Sequence, residues 1–133
     1  MSDRKVVKFG GTSVANYSAM LTCCGIVADD PERCIVVLSA PAGVTNALVA
    51  LANEAPTKRN QHIETIQSIV IAILKECEDA NIEPIRPLTN EINQLLAELT
   101  QHALAATPSF SDAQIDTLLS FGERFSTAFC TAI

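Results

Sequence analysis

An α/β fold that opens with a parallel βαβ unit and continues as several helices is predicted by three observations. Two short apolar runs, one around Val6-Val7 and one at Cys34–Leu38 (CIVVL), read as strands, and the second is continuously apolar, as strands buried on both faces of a parallel sheet are. One helical segment separates them. Beyond the second run the apolar residues recur at helical spacing almost without interruption.

Lys5–Phe9 is the first predicted strand, followed by the turn Gly10–Val14. Tyr17, Met20, Leu21, Cys24, Val27 and Ala28 then fall at i, i+3, i+4 spacing, with Asn16 as cap and Asp29-Asp30-Pro31 as stop. Cys34–Leu38 returns as the second strand, and the crossover of such a unit is right-handed. A turn bearing hydroxyls and a glycine, Ser39–Asn46, leads into a helix carrying Leu48, Leu51, Ala52 and Ala55 and ending at Pro56. Two stripes follow: Ile63, Ile66, Val70, Ile73, Leu74 and Cys77, then, after Pro84 and Pro87, Ile92, Leu95, Leu96, Leu99 and Ala103. They predict an antiparallel helical hairpin, serving as scaffold or subunit contact. Ser111 and Gln114 form a capping box that opens a last helix with Ile115, Leu118, Leu119, Gly122, Phe125 and Phe129 inward.

Composition narrows the possible functions. The 133 residues are one domain's worth, 48% hydrophobic and 18% charged, which is the make-up of a packed chain. A net charge of −6 without a basic stripe argues against a nucleic-acid partner. No apolar run reaches the roughly 18–20 residues of a membrane span, and MSDRKVVKFGG lacks the form of a signal peptide, so no membrane association and a cytoplasmic location are expected. The five cysteines are odd in number and have no CxxC spacing, which predicts reduced thiols, mostly in the core, rather than disulfides or zinc. His62 and His102 are isolated, so no metal site is expected.

Three segments carry chemistry. KFGGTSV (Lys8–Val14) places a lysine, two glycines and two hydroxyls at the end of a strand. Glycines admit close approach and positive φ, their amides can donate to phosphate oxygens, and Lys8 supplies charge. The lysine precedes the glycines, unlike the order in a P-loop. By itself GGTS is more often an ordinary strand-to-helix turn. LSAPAGVTN (Leu38–Asn46) is the second segment. The third, SFGERFS (Ser120–Ser126), sets Gly122 in mid-helix, where glycine costs on the order of 1 kcal/mol against alanine and so has a packing or approach reason. Spacing alone leaves Glu123 open between a solvated residue beside Arg124 and a ligand contact.

Taken together, KFGGTSV, LSAPAGVTN and SFGERFST closely resemble the aspartate kinases of the amino-acid kinase family, from Lys5 to Ile133. The likeness is greatest to the lysine-sensitive, monofunctional type, with the aspartokinase–homoserine dehydrogenases as near rival. The resemblance implies the N-terminal part of a three-layer α/β/α catalytic domain. It implies ATP-dependent phosphorylation of the L-aspartate β-carboxylate to 4-phospho-L-aspartate, with Mg2+ arriving on the nucleotide. Carried over residue by residue, Lys8 neutralises the transferring phosphoryl group, Gly10, Gly11, Thr12 and Ser13 hold phosphate, and Ser39, Thr45 and Glu123 hold aspartate. Glu123 would read the substrate's ammonium group.

The resemblance also places the nucleotide loops, a carboxylate-gripping arginine and the regulatory ACT domains outside residues 1–133. The chain runs to Ile133 in helical register with only two strands, so it reads as the front of a larger domain and as inactive alone. A homo-oligomeric parent enzyme is expected. Two other readings stay open: an amino-acid kinase acting on a different acid, and a non-catalytic module that self-associates through its helical stripes and exposed sheet edge.

Overall fold

The parallel pairing of two β-branched runs organises the N-terminal part of the chain. The computed structural model describes residues 4–105 and 109–133. Strands β1 (Lys5–Phe9) and β2 (Arg33–Leu38) pair with Val6 opposite Ile35, Val7 opposite Val36, Lys8 opposite Val37 and Phe9 opposite Leu38. The register slips between Lys5 and Val6, because Lys5 pairs with Arg33. Between the strands, a 3₁₀ turn (Gly11–Val14) leads into helix α1 (Tyr17–Ala28). The Asn16 side chain caps α1 by accepting the Ala19 N–H at 2.9 Å. The βαβ start and the α/β class are as expected.

Side chains alternate across a strand, so one face of the sheet carries Val7, Phe9, Val36 and Leu38 and the other Val6, Lys8, Ile35 and Val37. Helices α1 and α5 (Asp112–Ala132) lie against β2 and cover the first face only in part. On the second face Val6 is 65%, Ile35 54% and Val37 45% exposed. The expected burial on both faces is therefore not met, because among the described residues no layer covers that side.

The remaining helices, α2 (Val44–Asn53), α3 (Arg59–Asp79) and α4 (Ile85–Ala105), pack around α5 and each other, α4 on α5 and α2 on both α3 and α5. Every residue of the two predicted hairpin stripes is buried. Helix α3 ends in a Schellman motif: Asn81 adopts φ 55°, and the N–H groups of Asn81 and Ile82 donate to the carbonyls of Glu78 and Cys77. Helix α4 starts earlier than expected, at Ile85, with Pro87 inside its first turn, where an N–H has no intrahelical partner to lose. The buried Arg59 guanidinium donates to the Ala103 carbonyl at 3.3 Å and lies 4.4 Å from the Phe110 ring centre, tying the start of α3 to both sides of the α4–α5 connection.

Helix α1 departs from its predicted face. Leu21 is 49% exposed, Ala28 is exposed too, and Cys23 is buried in their place. The helix is apolar nearly all round, so spacing cannot select one side. The capping box at Ser111 and Gln114 is present; of the predicted inward set α5 buries Leu118, Gly122, Phe125 and Phe129, leaves Ile115 and Leu119 half-buried, and buries Phe121, Ser126 and Ala128 as well. All five cysteines are free; Cys23 and Cys77 are buried, Cys24 and Cys130 half-buried, and Cys34 exposed. Burial pushes the Cys77 thiol up to about 11 and the Cys130 thiol up to about 12, which keeps both protonated and unreactive. No described helix is long and apolar enough to cross a membrane.

Candidate functional site

The three sequence segments meet at Ser39 and Ala40, where the chain leaves β2. The Ser39 N–H donates to the Phe9 carbonyl at 3.0 Å, extending the strand pairing by one bond. Its carbonyl accepts the Ser126 hydroxyl of α5 at 2.6 Å. Ala40 is clasped by two glycines: a Cβ on Gly11 would stand 3.1 Å from the Ala40 carbonyl oxygen, and one on Gly122 only 2.5 Å from the Ala40 Cβ. The mid-helix glycine thus has the close-approach reason its position implied.

The lysine–glycine turn forms from Gly10 in extended conformation (φ −79°, ψ 175°), with the Ser13 N–H closing on the Gly10 carbonyl at 3.0 Å. Val14 is fully buried, and the Cys23 thiol donates to the Ser13 carbonyl at 3.2 Å, so the turn is anchored on α1. This glycine pair does not use the positive φ that glycine admits; among the described glycines it belongs to Gly43, at 89°. Gly43 caps α2 there, as the third residue of the turn that the Val44 N–H closes on the Pro41 carbonyl at 3.0 Å.

Between these turns lies an open pocket of about 390 Å³, lined by Gly11, Thr12, Ser39, Ala40, Pro41, Ala42, Gly43, Thr45 and Asn46. Four of the expected site residues, Gly11, Thr12, Ser39 and Thr45, are brought together in it. Lys8, Gly10, Ser13 and Glu123 are not among its lining. Lys8 is exposed on the uncovered face of the sheet, two residues before the turn, and makes no ion pair among the described residues. Glu123 is exposed on α5, next to the Gly122–Ala40 contact. Arg124 is held elsewhere, 3.2 Å from Glu98 and 4.5 Å from the Phe121 ring centre, so it does not neutralise Glu123.

Sequence reasoning assigned no role to Asn46 or Ser126. Asn46 closes the segment Leu38–Asn46, and its place in the pocket follows from its position in the first turn of α2 beside Thr45. For Ser126 the signal was its spacing, four residues after Gly122 and thus on the same helix face. A second cavity of about 390 Å³, lined by Phe9, Val27, Val36, Leu38, Cys24, Cys130 and neighbouring residues, is mainly apolar. Among the described residues no three His, Cys, Asp or Glu side chains converge as metal ligands.

The arrangement is an open pocket of hydroxyls, backbone and small apolar residues between two strand ends, flanked by a cation, Lys8, and a carboxylate, Glu123, that form no ion pair among the described residues. Pockets beyond the carboxyl ends of parallel strands are where open α/β sheets bind small molecules. The sequence model of the amino acid kinase family matches residues 3–133, and the chain belongs to that family. It is 43% identical over 128 residues to the lysine-sensitive aspartokinase 3 of Escherichia coli K12, covering 96% of this chain and 27% of that protein. A Haemophilus influenzae protein named "Putative inactive aspartokinase 3" is 52% identical over 75 residues, covering 56% of this chain and 62% of that one.

Crystal structures of E. coli aspartokinase III superpose at 40% identity in both its states. The complex with lysine and aspartate gives a TM-score of 0.86 over 98% of this chain, and the complex with aspartate and ADP gives 0.84 over 96%. Each match spans 28% of the crystallised chain. The α/β architecture described above is thus that of the amino acid kinases.

Proposed function

We propose that residues 1–133 are the N-terminal, substrate-side portion of an aspartate kinase domain. The longer enzyme transfers the γ-phosphoryl group of MgATP to the β-carboxylate of L-aspartate, the first step toward lysine, threonine and methionine. A carboxylate oxygen bonds to the γ-phosphorus as the bond to the ADP oxygen breaks, and ADP leaves with that electron pair. The nucleophile is already ionised at neutral pH, so no general base is required; what the protein supplies is position and charge stabilisation.

In this reading Lys8 offsets the repulsion between the two anions, and Gly10, Gly11, Thr12 and Ser13 hold phosphate. Ser39 and Thr45 contact aspartate, and Glu123 binds its ammonium group. Mg2+ enters with the nucleotide as part of the substrate. The parent enzyme is a cytoplasmic homo-oligomer. The observation that carries the reading is the convergence of all three segments on Ser39 and Ala40 beside a hydroxyl-lined pocket. The availability of Lys8 and Glu123, neither held in an ion pair among the described residues, supports it.

The 133-residue chain alone has no meaningful turnover, because the groups that grip the nucleotide belong to the rest of the domain. Incubation with aspartate, MgATP and hydroxylamine should give no aspartyl hydroxamate. A signal that disappears in Lys8→Ala would overturn the claim of inactivity. An NMR titration with L-aspartate, with D-aspartate as control, tests the half-site itself. Shifts selective for the L form at Ser39, Thr45 and Glu123 are expected, and their absence in a well-dispersed spectrum would overturn the claim that this half-site holds aspartate by itself.

A further inference from the structure

We infer that Ser126 is a positioning residue for substrate, acting through Ser39; the inference rests on the aspartate-binding reading above. A hydroxyl with no solvent access must find a partner inside the protein, and Ser126 is fully buried. Serine and threonine within a helix commonly bond back to a carbonyl of their own preceding turn. Thr117 and Ser120 of α5 do so, donating to Ala113 and Thr117. Ser126 instead leaves its helix and donates to the Ser39 carbonyl at 2.6 Å, across 87 residues of sequence.

The consequence is geometric. Ser39 is held at its amide by Phe9 of β1 and at its carbonyl by Ser126 of α5, so both peptide planes flanking its side chain are fixed by separate elements. The Gly122–Ala40 contact lets α5 come close, but a contact between apolar atoms tolerates sliding and rotation. A short, directional hydrogen bond one turn further on removes that freedom. Glu123 lies three residues before Ser126, between the two anchor points, so the same bond sets Glu123 relative to Ser39 and Thr45. Ser126 touches no substrate in this scheme; it sets the register between the groups that do.

The test is the L-aspartate titration by NMR, run on the unmodified chain, Ser126→Ala and Ser126→Thr, with a thermal melt of each. Ser126→Ala should stay folded, move the Ala40 amide signal (the peptide of the Ser39 carbonyl) and weaken L-aspartate binding by about five- to tenfold, the worth of one lost hydrogen bond. Ser126→Thr keeps the hydroxyl and should restore binding to within about twofold. If the alanine chain melts too low to titrate, Ser126→Cys keeps the volume with only a weak donor and takes its place. Unchanged affinity in the folded donor-deficient chain overturns the inference while leaving the aspartate reading intact. Threonine binding as poorly as alanine also overturns it, because the hydroxyl would then not be the cause. If the unmodified chain ignores L-aspartate, the claim that this half-site holds aspartate fails and this inference fails with it.

Discussion

Ala40 has almost no side chain, yet two glycines are shaped around it. Gly11 stands against its carbonyl and Gly122 against its methyl group, which leaves the residue little room to move in either direction. The expected effect of Gly122→Ala follows from weighing two terms. Alanine gains about 1 kcal/mol of helix propensity over glycine. Against that, the new methyl would stand 2.5 Å from the Ala40 Cβ, and no flexible side chain is available to yield. Overpacking of this kind costs about 1–3 kcal/mol and is met here by displacing either α5 or the turn at Ala40. Net destabilisation, or an intact melt with L-aspartate affinity reduced, is therefore the expected outcome. A more stable variant with unchanged affinity would show that the clasp is not tight. Sequence alone indicated that Gly122 had such a reason, since glycine in mid-helix is rarely idle. It could not indicate the neighbour, because Ala40 lies far away in sequence and is itself an unremarkable residue type.

Among the elements, the corner where α1 turns into β2 is held electrostatically rather than by burial. The Asp30 carboxylate accepts the Lys5 ammonium at 2.7 Å and the Glu32 N–H at 2.9 Å, with Arg33 3.8 Å away. The hydrogen bond from Lys5, followed by that from the Glu32 amide, holds the carboxyl below its ordinary value of 3.8. The unfolded chain therefore binds the proton more readily, and stability rises with pH across the interval between the two pKa values. The contribution is complete above 3.8 and is lost as pH falls through the lower folded value. Asp30→Asn should melt lower than the unmodified chain near neutral pH, with the gap closing once the pH is below that folded value. A gap independent of pH would mean that the residue acts through packing. The Asp-Asp-Pro stop was legible as the end of α1, and so were the βαβ start and both hairpin stripes. The exposed side of α1 was not legible, because a helix apolar on every side carries no phase. Nor was the Asn81 turn, since asparagine at positive φ looks like any polar loop residue until the Schellman bonds are seen.

For the molecule as a whole, legibility divided along the same line. Motifs contiguous in sequence were found, and the pocket does gather Gly11, Thr12, Ser39 and Thr45. Contacts that depend on how α5 lies across the end of β2, such as that of Ser126, were not. Continuous apolarity in CIVVL correctly marked a parallel strand, but in the chain as described the uncovered face presents Val6, Ile35 and Val37 to solvent. Unpaired strand edges beside an apolar face are templates for association. The isolated chain should therefore show sedimentation that rises with concentration. Ile35→Glu sets a carboxylate in the middle of that face, on the same side as Lys8, at a position already 54% exposed. A surface change of this kind alters stability by no more than about 0.5 kcal/mol, so the melt should hardly move while the concentration dependence falls. If Ile35→Glu associates as strongly as before, the contact runs through other exposed apolar groups, of which Leu21 and Ile26 on α1 are the first to replace. A chain that is monomeric at every concentration would show that the Lys8 charge on that face already keeps copies apart, as lysines do on natural sheet edges.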